Sequence, residues 1–322
     1  MRAIVYERYG GPEVLILREI EKPAPRAHDI LIRVRATTVT AGDCRARSLR
    51  VPRGFGLVAR FIFGFTRPRQ PILGSELAGD IEAVGAAVTR WKVSDAVFAF
   101  PGAGLGGYAD YKCMAEDGLV ARKPPSLDYE ESAALSFGGT TALHFLRQAR
   151  IQSGQRVLVN GAAGGVGTAA VQLARHFGAE VTAVCGPNNL DLVRSLGASR
   201  AIDYTREDFA HSGETWDVIF DTAGTAPYSR CRAALTPTGR LVLVQATAGQ
   251  MLGMPWIMAT TRHRVLGGVP RVAADDLRFL AALVDAGAYK PPIDRRYPIA
   301  QIVEAHRHVD EGHKRGNVTI SV

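Results

Sequence analysis

The stretch Gln155–Gly167 reads QRVLVNGAAGGVG and decides the fold. Its residues 156–160 are a short apolar run, typical of a buried parallel strand, and a glycine-rich turn follows at once. After the turn, apolar residues recur at helical spacing from Thr168 to Phe177. A strand, a glycine turn and a helix in this order are the context that a dinucleotide-binding fingerprint requires. These flanks disfavour the alternative, a glycine-rich turn that binds no ligand.

The small residues of this turn have separate predicted roles in cofactor binding. Ala162 and Gly164 allow a tight turn and a close approach of the backbone to a ligand. The amides of Gly165 and Val166 are expected to face a pyrophosphate, and Gly167 lets the helix pack on the strand. Because Ala162 stands at the first position, the strict G-x-G-x-x-G pattern is not met.

Length and composition set the broad class. A chain of 322 residues with a mean hydropathy of +0.01 should form two domains, and it contains no apolar run of membrane-spanning length. The first residues, MRAIVYERYGGPEVL, lack the apolar region of a signal peptide. The four cysteines are scattered without a C-x-x-C pair, which indicates a reduced, cytoplasmic protein without a disulfide framework or a four-thiolate zinc site.

The charge pattern suggests a phosphorylated small molecule as the ligand. The net charge is +8 and the basic residues are spread along the chain, so they can steer a polyanionic cofactor. Nucleic acid is the disfavoured alternative, because no motif interleaves aromatic and basic residues. Residues 45–70 carry five arginines between 45 and 60 and four phenylalanines. An amphipathic membrane or lid segment is one interpretation. We favour a surface loop and short helix covering one end of the active-site cleft, with no membrane partner.

The remaining pattern predicts two kinds of domain. Residues 1–46 alternate short β-like runs with Gly and Pro, which is typical of an all-β barrel-like unit. After residue 167, short apolar strands alternate with helical segments, which indicates right-handed βαβ units and a parallel sheet. The predicted ranges are 1–125, completed by 271–322, for the first domain and 126–270 for the second.

The order of several motifs resembles one family along essentially the whole chain. The motifs are GSELAGDIEAVG at 74–85, GGYADY at 106–111, RKPPSLDYEESAAL at 122–135 and AAGGVG at 162–167. Together they are similar to the medium-chain dehydrogenase/reductase superfamily, in its zinc-independent, quinone-oxidoreductase-like branch. The resemblance implies an α/β protein in which a GroES-like β-barrel catalytic domain accompanies a Rossmann doubly wound parallel-sheet domain, with nicotinamide in the cleft between them. It also implies a homodimer that pairs through the edge strand near Arg264–Val269.

The end of the second strand of the predicted parallel sheet bears on cofactor choice. An NAD site places Asp or Glu there to hold the ribose hydroxyls. This chain reads CGPNN at 185–189, and the expected contacts are Cys185, Gly186 and Asn189. The loop contains no carboxylate that would repel a 2′-phosphate. NADP-dependent members of the resembling family often place a basic residue in this loop and a Tyr at the next strand end. Tyr204 matches, although it could be ordinary packing, and the basic residue is missing. We therefore expect NADPH.

The resemblance implies further cofactor contacts. Thr141, in GGTTA, matches a threonine that touches nicotinamide, and Val244, Gln245 and Ala246 correspond to a backbone contact with the carboxamide. Ala223 and Gly224, in DTAG, would border the adenosine. Asn317 stands where the family has a Lys and would close over the cofactor. Each of these residues could instead be a plain turn residue.

No metal is expected in the site. The zinc enzymes of the resembling family have Cys at the position of Thr40, His at that of Ser75 and a further Cys near 136–139, where this chain has none. We predict Thr40 and Asp43 as catalytic residues, because a hydroxyl at 40 could bond a substrate carbonyl oxygen. Asp43 could equally be structural, bonding backbone amides in a turn.

These observations predict a zinc-independent enzyme that transfers hydride from NADPH to a small-molecule quinone or enone. Hydride addition to such an acceptor leaves an enolate-like oxyanion that solvent can protonate, so no strong acid is needed. An enoyl-thioester reductase and a non-catalytic NADPH-binding sensor remain the alternatives.

A separate expectation concerns Ser94, which stands where relatives have Gly. If φ is positive there, Ser94 costs about 1 kcal/mol of strain.

Overall fold

The computed structural model describes residues 1–322, which form two compact units. Unit 1 comprises Met1–Val51, Gly56–Phe137 and Val272–Val322, and unit 2 comprises Pro52–Phe55 and Gly138–Arg271. The sequence placed the changeover earlier, at residues 125 and 126. Residues 126–137 belong to unit 1, and there the Phe137 amide donates a hydrogen bond to Glu76 Oε2 at 2.5 Å.

The chain forms fifteen strands and ten α-helices. The strands are β1 Arg2–Val5, β2 Ile16–Glu19, β3 Asp29–Thr38, β4 Leu77–Val84, β5 Ala96–Ala99, β6 Tyr111–Ala115, β7 Val120–Arg122, β8 Arg156–Asn160, β9 Glu180–Cys185, β10 Arg200–Asp203, β11 Trp216–Asp221, β12 Leu235–Leu243, β13 Arg264–Gly267, β14 Ile293–Pro298 and β15 Asn317–Ser321. The α-helices are α1 Ala41–Ser48, α2 Gly56–Phe63, α3 Tyr129–Ala133, α4 Ser136–Gln148, α5 Gly165–His176, α6 Leu190–Ser195, α7 Tyr228–Cys231, α8 Ala248–Thr260, α9 Ala274–Asp285 and α10 Ile302–Asp310.

Unit 1 is built on a mostly antiparallel sheet in the order β14-β15-β3-β4-β5-β7, with β6 also paired to β3. The long strand β3 is buried over residues 30–32 and 36–38, and only Arg33 and Arg35 are exposed, so most of the strand lies in the interior of unit 1. There Ile30 and Ile32 pack with Leu77 and Ile81. The predicted GroES-like β domain is thereby confirmed.

Unit 2 is a six-stranded sheet in the order β10-β9-β8-β11-β12-β13, and every pairing is parallel. Numbered from β8, this is the 3-2-1-4-5-6 order of the Rossmann fold, which confirms the prediction. The strand order reverses between β8 and β11, and the carboxyl ends of strands at this point are where such sheets bind ligands.

Some local expectations differ from the structure. Helix α8 and strand β14 were not predicted from the sequence. Ser94 has φ 71°, so the condition for backbone strain at this position is met. No helix of the chain is both long enough and apolar enough to cross a bilayer.

Candidate active site

The glycine turn of unit 2 places the start of α5 directly on the end of β8. Gly161 has φ 78°, and a Cβ there would lie 2.5 Å from Thr222 Oγ1. A Cβ on Gly167 would collide with the carbonyl oxygen of Gly161, so only glycine lets the helix approach this closely. Gly164 is the N-cap of α5, and within 4 Å of its Cβ position there is only the Gly161 oxygen, at 3.7 Å. The turn is therefore tight on the protein side and open at Gly164.

Helix α4 touches the first turn of α5. A Cβ on Gly138 would lie 2.6 Å from the carbonyl oxygen of Gly165, so the two backbones are in close contact. Thr141 is buried one turn further along α4. The first amides of a helix have no intrahelical acceptor, so those of Gly165 and Val166 can bind an anion. The structure thus brings the predicted Thr141 and pyrophosphate contacts onto adjacent elements of unit 2.

A buried carboxylate at the end of β11 shapes the loop that carries Ala223 and Gly224. Asp221 Oδ1 accepts hydrogen bonds from the amides of Ala223 at 3.1 Å and Gly224 at 3.0 Å, and Oδ2 accepts one from Ala226 at 3.0 Å. Asn160 Nδ2 donates to the same Oδ1 at 2.9 Å. The sequence analysis missed Asp221, although an Asp at the end of an apolar strand before small residues is a signal for such a turn.

The end of β12 lies beside this loop. The Val244 amide donates to the carbonyl oxygen of Asp221 at 3.0 Å, and Gln245 Nε2 donates to that of Thr222 at 2.6 Å. Ala246 is buried. Residues 244–246 and 223–224 therefore form one edge at the carboxyl ends of β11 and β12.

The end of β9 presents a small, neutral loop. Burial raises the pKa of the Cys185 thiol to about 11, so the thiol stays protonated at neutral pH. Tyr204 is 59% exposed, and its Oη lies 3.5 Å from the position of a Cβ on Gly186. Asn189 Oδ1 is buried and has no hydrogen-bond partner. A ribose hydroxyl would satisfy this acceptor, so the loop fits a dinucleotide.

A carboxylate that the sequence analysis missed stands next to this loop. Asp203, at the end of β10, pairs in register with Cys185. Its Oδ1 accepts hydrogen bonds from the Thr205 amide at 2.9 Å and the Thr205 hydroxyl at 2.8 Å, and Arg206 Nε lies 3.7 Å from its Oδ2. The backbone hydrogen bond from Thr205 lowers the pKa of Asp203. The carboxylate is thus charged but engaged, and only the pairing of β9 with β10 reveals it.

In unit 1, the predicted catalytic pair caps helix α1. Thr40 is the N-cap residue, and its hydroxyl accepts from the Asp43 amide at 3.0 Å and donates to Asp43 Oδ2 at 2.6 Å. Asp43 is fully buried and also accepts from the amides of Thr40, Gly74 and Ser75 and from the Ser75 hydroxyl. Burial raises its pKa, and these hydrogen bonds counteract the shift. This arrangement matches the structural role considered for Asp43 and leaves both catalytic assignments as predictions.

Glu76 is the titratable group in this part of unit 1 that the sequence analysis did not assign. Its Oε1 accepts from the Thr38 hydroxyl and its Oε2 from the Phe137 amide, each at 2.5 Å. Burial raises the pKa of Glu76 to about 7. The charge of Lys314, whose own pKa is lowered by burial, acts against that rise. Glu76 can therefore gain or lose a proton near neutral pH.

The remaining predicted contact, Asn317, begins β15. Its amide and its Nδ2 both donate to the carbonyl oxygen of Pro292, at 2.9 and 3.2 Å. Lys314 Nζ donates to the Gly316 carbonyl oxygen at 2.9 Å. The Asn317 side chain is thus engaged within unit 1, and its cofactor contact stays a prediction.

Cys44 and His306 are packed side chains. Cys44 Sγ lies 3.4 Å from His306 Nδ1, and Arg47 donates to the same Nδ1 at 2.8 Å. The Nδ1 atom is therefore an acceptor, so the Nε2 hydrogen points to Tyr108 Oη at 3.1 Å. Burial lowers the pKa of His306, which keeps the ring neutral.

The chain contains no group of three or more His, Cys, Asp or Glu side chains arranged to hold a metal ion. Unit 1 also has a cleft of about 550 Å³. Its lining includes parts of β7 and α9 and, outside these elements, Trp91 and Lys123. None of the predicted site residues lines this cleft.

Both parts of the chain match known families. Residues 26–125 match the family model of the alcohol dehydrogenase GroES-like domain, and residues 196–320 match a model described as zinc-binding dehydrogenase. A quinone-oxidoreductase homolog from Spinacia oleracea is 30% identical, over 99% of this chain and 98% of the relative. An NADPH-dependent alkenal/one oxidoreductase from Arabidopsis thaliana is 29% identical, over 99% of this chain and 79% of the relative.

Solved structures agree with these matches. The quinone oxidoreductase from Coxiella burnetii has a TM-score of 0.89 and 29% identity, covering 100% of this chain and 99% of that one. The CurK enoyl reductase has a TM-score of 0.85 and 25% identity, covering 99% and 98%. The fold, the site and these relatives define an oxidoreductase that uses a nicotinamide cofactor. The chain belongs to the medium-chain dehydrogenase/reductase superfamily, in its quinone-oxidoreductase-like branch.

Proposed function

We propose that this protein reduces a quinone or an enone with hydride from NADPH, without zinc. The observation that carries the substrate class is the similarity, along the whole chain, to proteins named as quinone and alkenal/one oxidoreductases. The zinc-free part rests on the residue types at Thr40 and Ser75, whose hydroxyls take the place of zinc-binding side chains.

The proposed preference for NADPH rests on the ends of the neighbouring strands β9 and β10. The loop after Cys185 carries no acid, and the nearby Asp203 already accepts two hydrogen bonds from Thr205. The ring of Tyr204 and the guanidinium of Arg206 are both exposed and can reach a 2′-phosphate, and the Arg206 guanidinium pairs with Asp203 only through a long contact of 3.7 Å. We propose that Tyr204 and Arg206 take the part of the basic residue that the loop lacks.

Bound NADPH would supply hydride from C4 of its nicotinamide ring. The residues of this chain hold and orient the reactants. In unit 2, Thr141 and residues 244–246 would contact the nicotinamide end, and the amides of Gly165 and Val166 the pyrophosphate. In unit 1, we propose that the Thr40 hydroxyl, which donates to Asp43 Oδ2 in the structure, turns to donate to the substrate oxygen when substrate is bound. We assign Asp43 to positioning, because it accepts hydrogen bonds from the hydroxyls of both Thr40 and Ser75.

We also propose that the protein is a homodimer through unit 2. Strand β13 is the edge of the six-stranded sheet, so its outer side offers backbone groups to a second copy. The neighbouring helix α8 exposes Leu252 and Trp256, which such a contact would cover. Light scattering after size exclusion should give twice the chain mass, and a Leu266→Pro variant should give a monomer.

The test of the function is a titration of the EDTA-treated protein with NADPH and NADH, followed by quinones and enones while nicotinamide absorbance is recorded. We expect tighter binding of NADPH and its oxidation on at least one acceptor. The variant Arg206→Gln should lose the preference for NADPH, with Arg232→Gln, another exposed arginine of unit 2, as the matched control. Activity that requires added zinc would contradict the zinc-free proposal.

The similarity to the CurK enoyl reductase favours an enoyl thioester as the second candidate substrate. Adding an enoyl thioester to the same acceptor panel separates the two, because faster NADPH oxidation on the thioester than on its free enone analogue would favour the second. Binding of NADPH without oxidation on any acceptor would instead indicate a sensor.

A further inference from the structure

The segment between Asp43 and Glu76 has an unusual charge pattern. Its residues 44–75 contain seven arginines and no lysine, aspartate or glutamate. Five of these arginines, at positions 50, 53, 60, 67 and 69, are exposed and form no ion pair with a carboxylate of the chain. Their charge is therefore available to an external anion.

Helix α2, in the middle of this segment, exposes its apolar side chains and does not pack them against the rest of unit 1. At about 100° per residue, Leu57, Val58, Phe61 and Ile62 share one face, and each is between 50% and 64% exposed. On the opposite face Ala59 is buried. A surface helix of a globular protein normally has the reverse arrangement, and a contiguous exposed apolar patch marks an interaction site.

This apolar face is held in place by the surrounding backbone. Tyr9 Oη donates to the carbonyl oxygen of Gly64 at 2.9 Å, and the Arg69 amide donates to that of Phe63 at 2.7 Å. Phe63 packs against a core cluster of unit 1. Beyond the helix, Phe65 stacks edge-to-face on Phe61 with ring centroids 4.8 Å apart, and it is also exposed. The patch is thus preformed.

The chemistry of the patch points to an anionic lipid surface. A bilayer offers hydrocarbon for an apolar face and negative headgroups for the arginines that flank it, which is the combination that interfacial helices use. A second copy of this chain would bring the same arginines face to face, and like charges oppose such a contact. The sequence pattern alone favours a surface segment without a membrane partner, and the exposed apolar face of α2 reverses that preference. We propose that helix α2 and its flanking arginines dock this protein on the surface of an anionic membrane, with Leu57, Phe61, Ile62 and Phe65 inserted among the lipids.

The test is flotation of the full chain with vesicles of phosphatidylcholine, with and without phosphatidylglycerol. We expect binding to the anionic vesicles that weakens as salt rises above about 0.1 M, because salt screens the arginines. The double variant Phe61→Ser/Ile62→Ser should abolish flotation. The double variant Arg67→Gln/Arg69→Gln should lower the partition coefficient by roughly 25-fold, since each basic residue near the membrane contributes about 1 kcal/mol.

Two controls separate the surface from general effects of mutation. Ile16→Ser/Leu17→Ser removes two apolar side chains of similar exposure from β2 of unit 1, and Arg8→Gln/Arg232→Gln removes two exposed charges elsewhere. Both should float like the unchanged protein and keep its NADPH oxidation, and all four variants should keep its melting temperature.

Flotation that persists in the α2 variants, or that is absent with anionic vesicles, would overturn the proposal. A change in KM for the acceptor without any vesicle binding would identify α2 as a lid. Loss of a dimer in the α2 variants without vesicle binding would identify a second copy as the occupant. Either result would also overturn the membrane proposal.

Discussion

Glu76 offers a quantitative test of the buried site in unit 1. Burial raises its pKa from the ordinary value of 4.5 to about 7. Between these values the unfolded chain ionises the carboxyl while the folded protein keeps it protonated. Stability is therefore lost as pH rises from 4.5 to 7 and stays level above. The difference of about 2.5 units corresponds to roughly 3 kcal/mol.

The variant Glu76→Gln does not titrate, so it removes this pH dependence. We expect the difference in free energy of unfolding between Glu76→Gln and the unchanged protein to move by about 3 kcal/mol in favour of the variant between pH 4.5 and 7. Altered hydrogen bonds to Thr38 and Phe137 add only an offset that does not depend on pH. Urea unfolding at several pH values measures the difference, and a difference that stays constant with pH would refute the reasoning.

Direct titration provides the control for the same group. In protein labelled with ¹³C at glutamate carboxyls, one resonance should titrate near pH 7 and should be missing from Glu76→Gln. Thr38→Val should raise that pKa further, because the Thr38 hydroxyl stabilises the charged form. A spectrum in which every glutamate titrates near its ordinary value would show that the burial of Glu76 has been misjudged.

Three further substitutions test other parts of the structure. Ser94→Gly should raise the free energy of unfolding by about 1 kcal/mol, since φ is 71° at this position, and an unchanged value in urea unfolding would contradict the strain. Gly167→Ala should weaken NADPH binding at least tenfold in a fluorescence titration, because the new Cβ collides with Gly161. In the control Gly249→Ala the new Cβ meets nothing within 4 Å, so NADPH binding should be unchanged. Arg47→Ala should lower the free energy of unfolding by about 3 kcal/mol or more, because it leaves His306 Nδ1 and Asp310 without their buried donor. A smaller loss in urea unfolding would argue against that network.

The elements that the sequence predicted well are those specified by local pattern. Strand β8 has the predicted bounds, and α5 begins only three residues before the expected start. Strand β8 is built on a short apolar run and α5 follows a glycine turn, so neighbouring residues alone determine them. The fold class then followed from the alternation of strands and helices.

The two elements that were missed have different causes. Helix α8 contains Pro255 and two glycines, which argue locally against a helix, and the capping box of Thr247 and Gln250 is the local signal that was overlooked. Strand β14 carries Arg295 and Arg296 and is recognisable only through its pairing with β15. Local propensity does not contain that pairing.

The same distinction applies to the candidate site. The glycine turn and the neutral loop after β9 could be read from adjacent residues. Asp203 gains its meaning from its register with Cys185, and Glu76 from the backbone amide of Phe137, sixty-one residues away. The roles of Asp203 and Glu76 thus depend on long-range geometry, which a single sequence does not show.

The most direct test of the proposed function is to follow the hydride itself. The EDTA-treated protein would be given NADPH carrying deuterium at C4 and an enone acceptor, and the product would be analysed by mass spectrometry. We predict one deuterium on the β-carbon of the saturated ketone, from only one of the two C4 stereoisomers of the labelled cofactor. Unlabelled product from both stereoisomers, or product formed only after zinc is added, would contradict direct zinc-free transfer from NADPH.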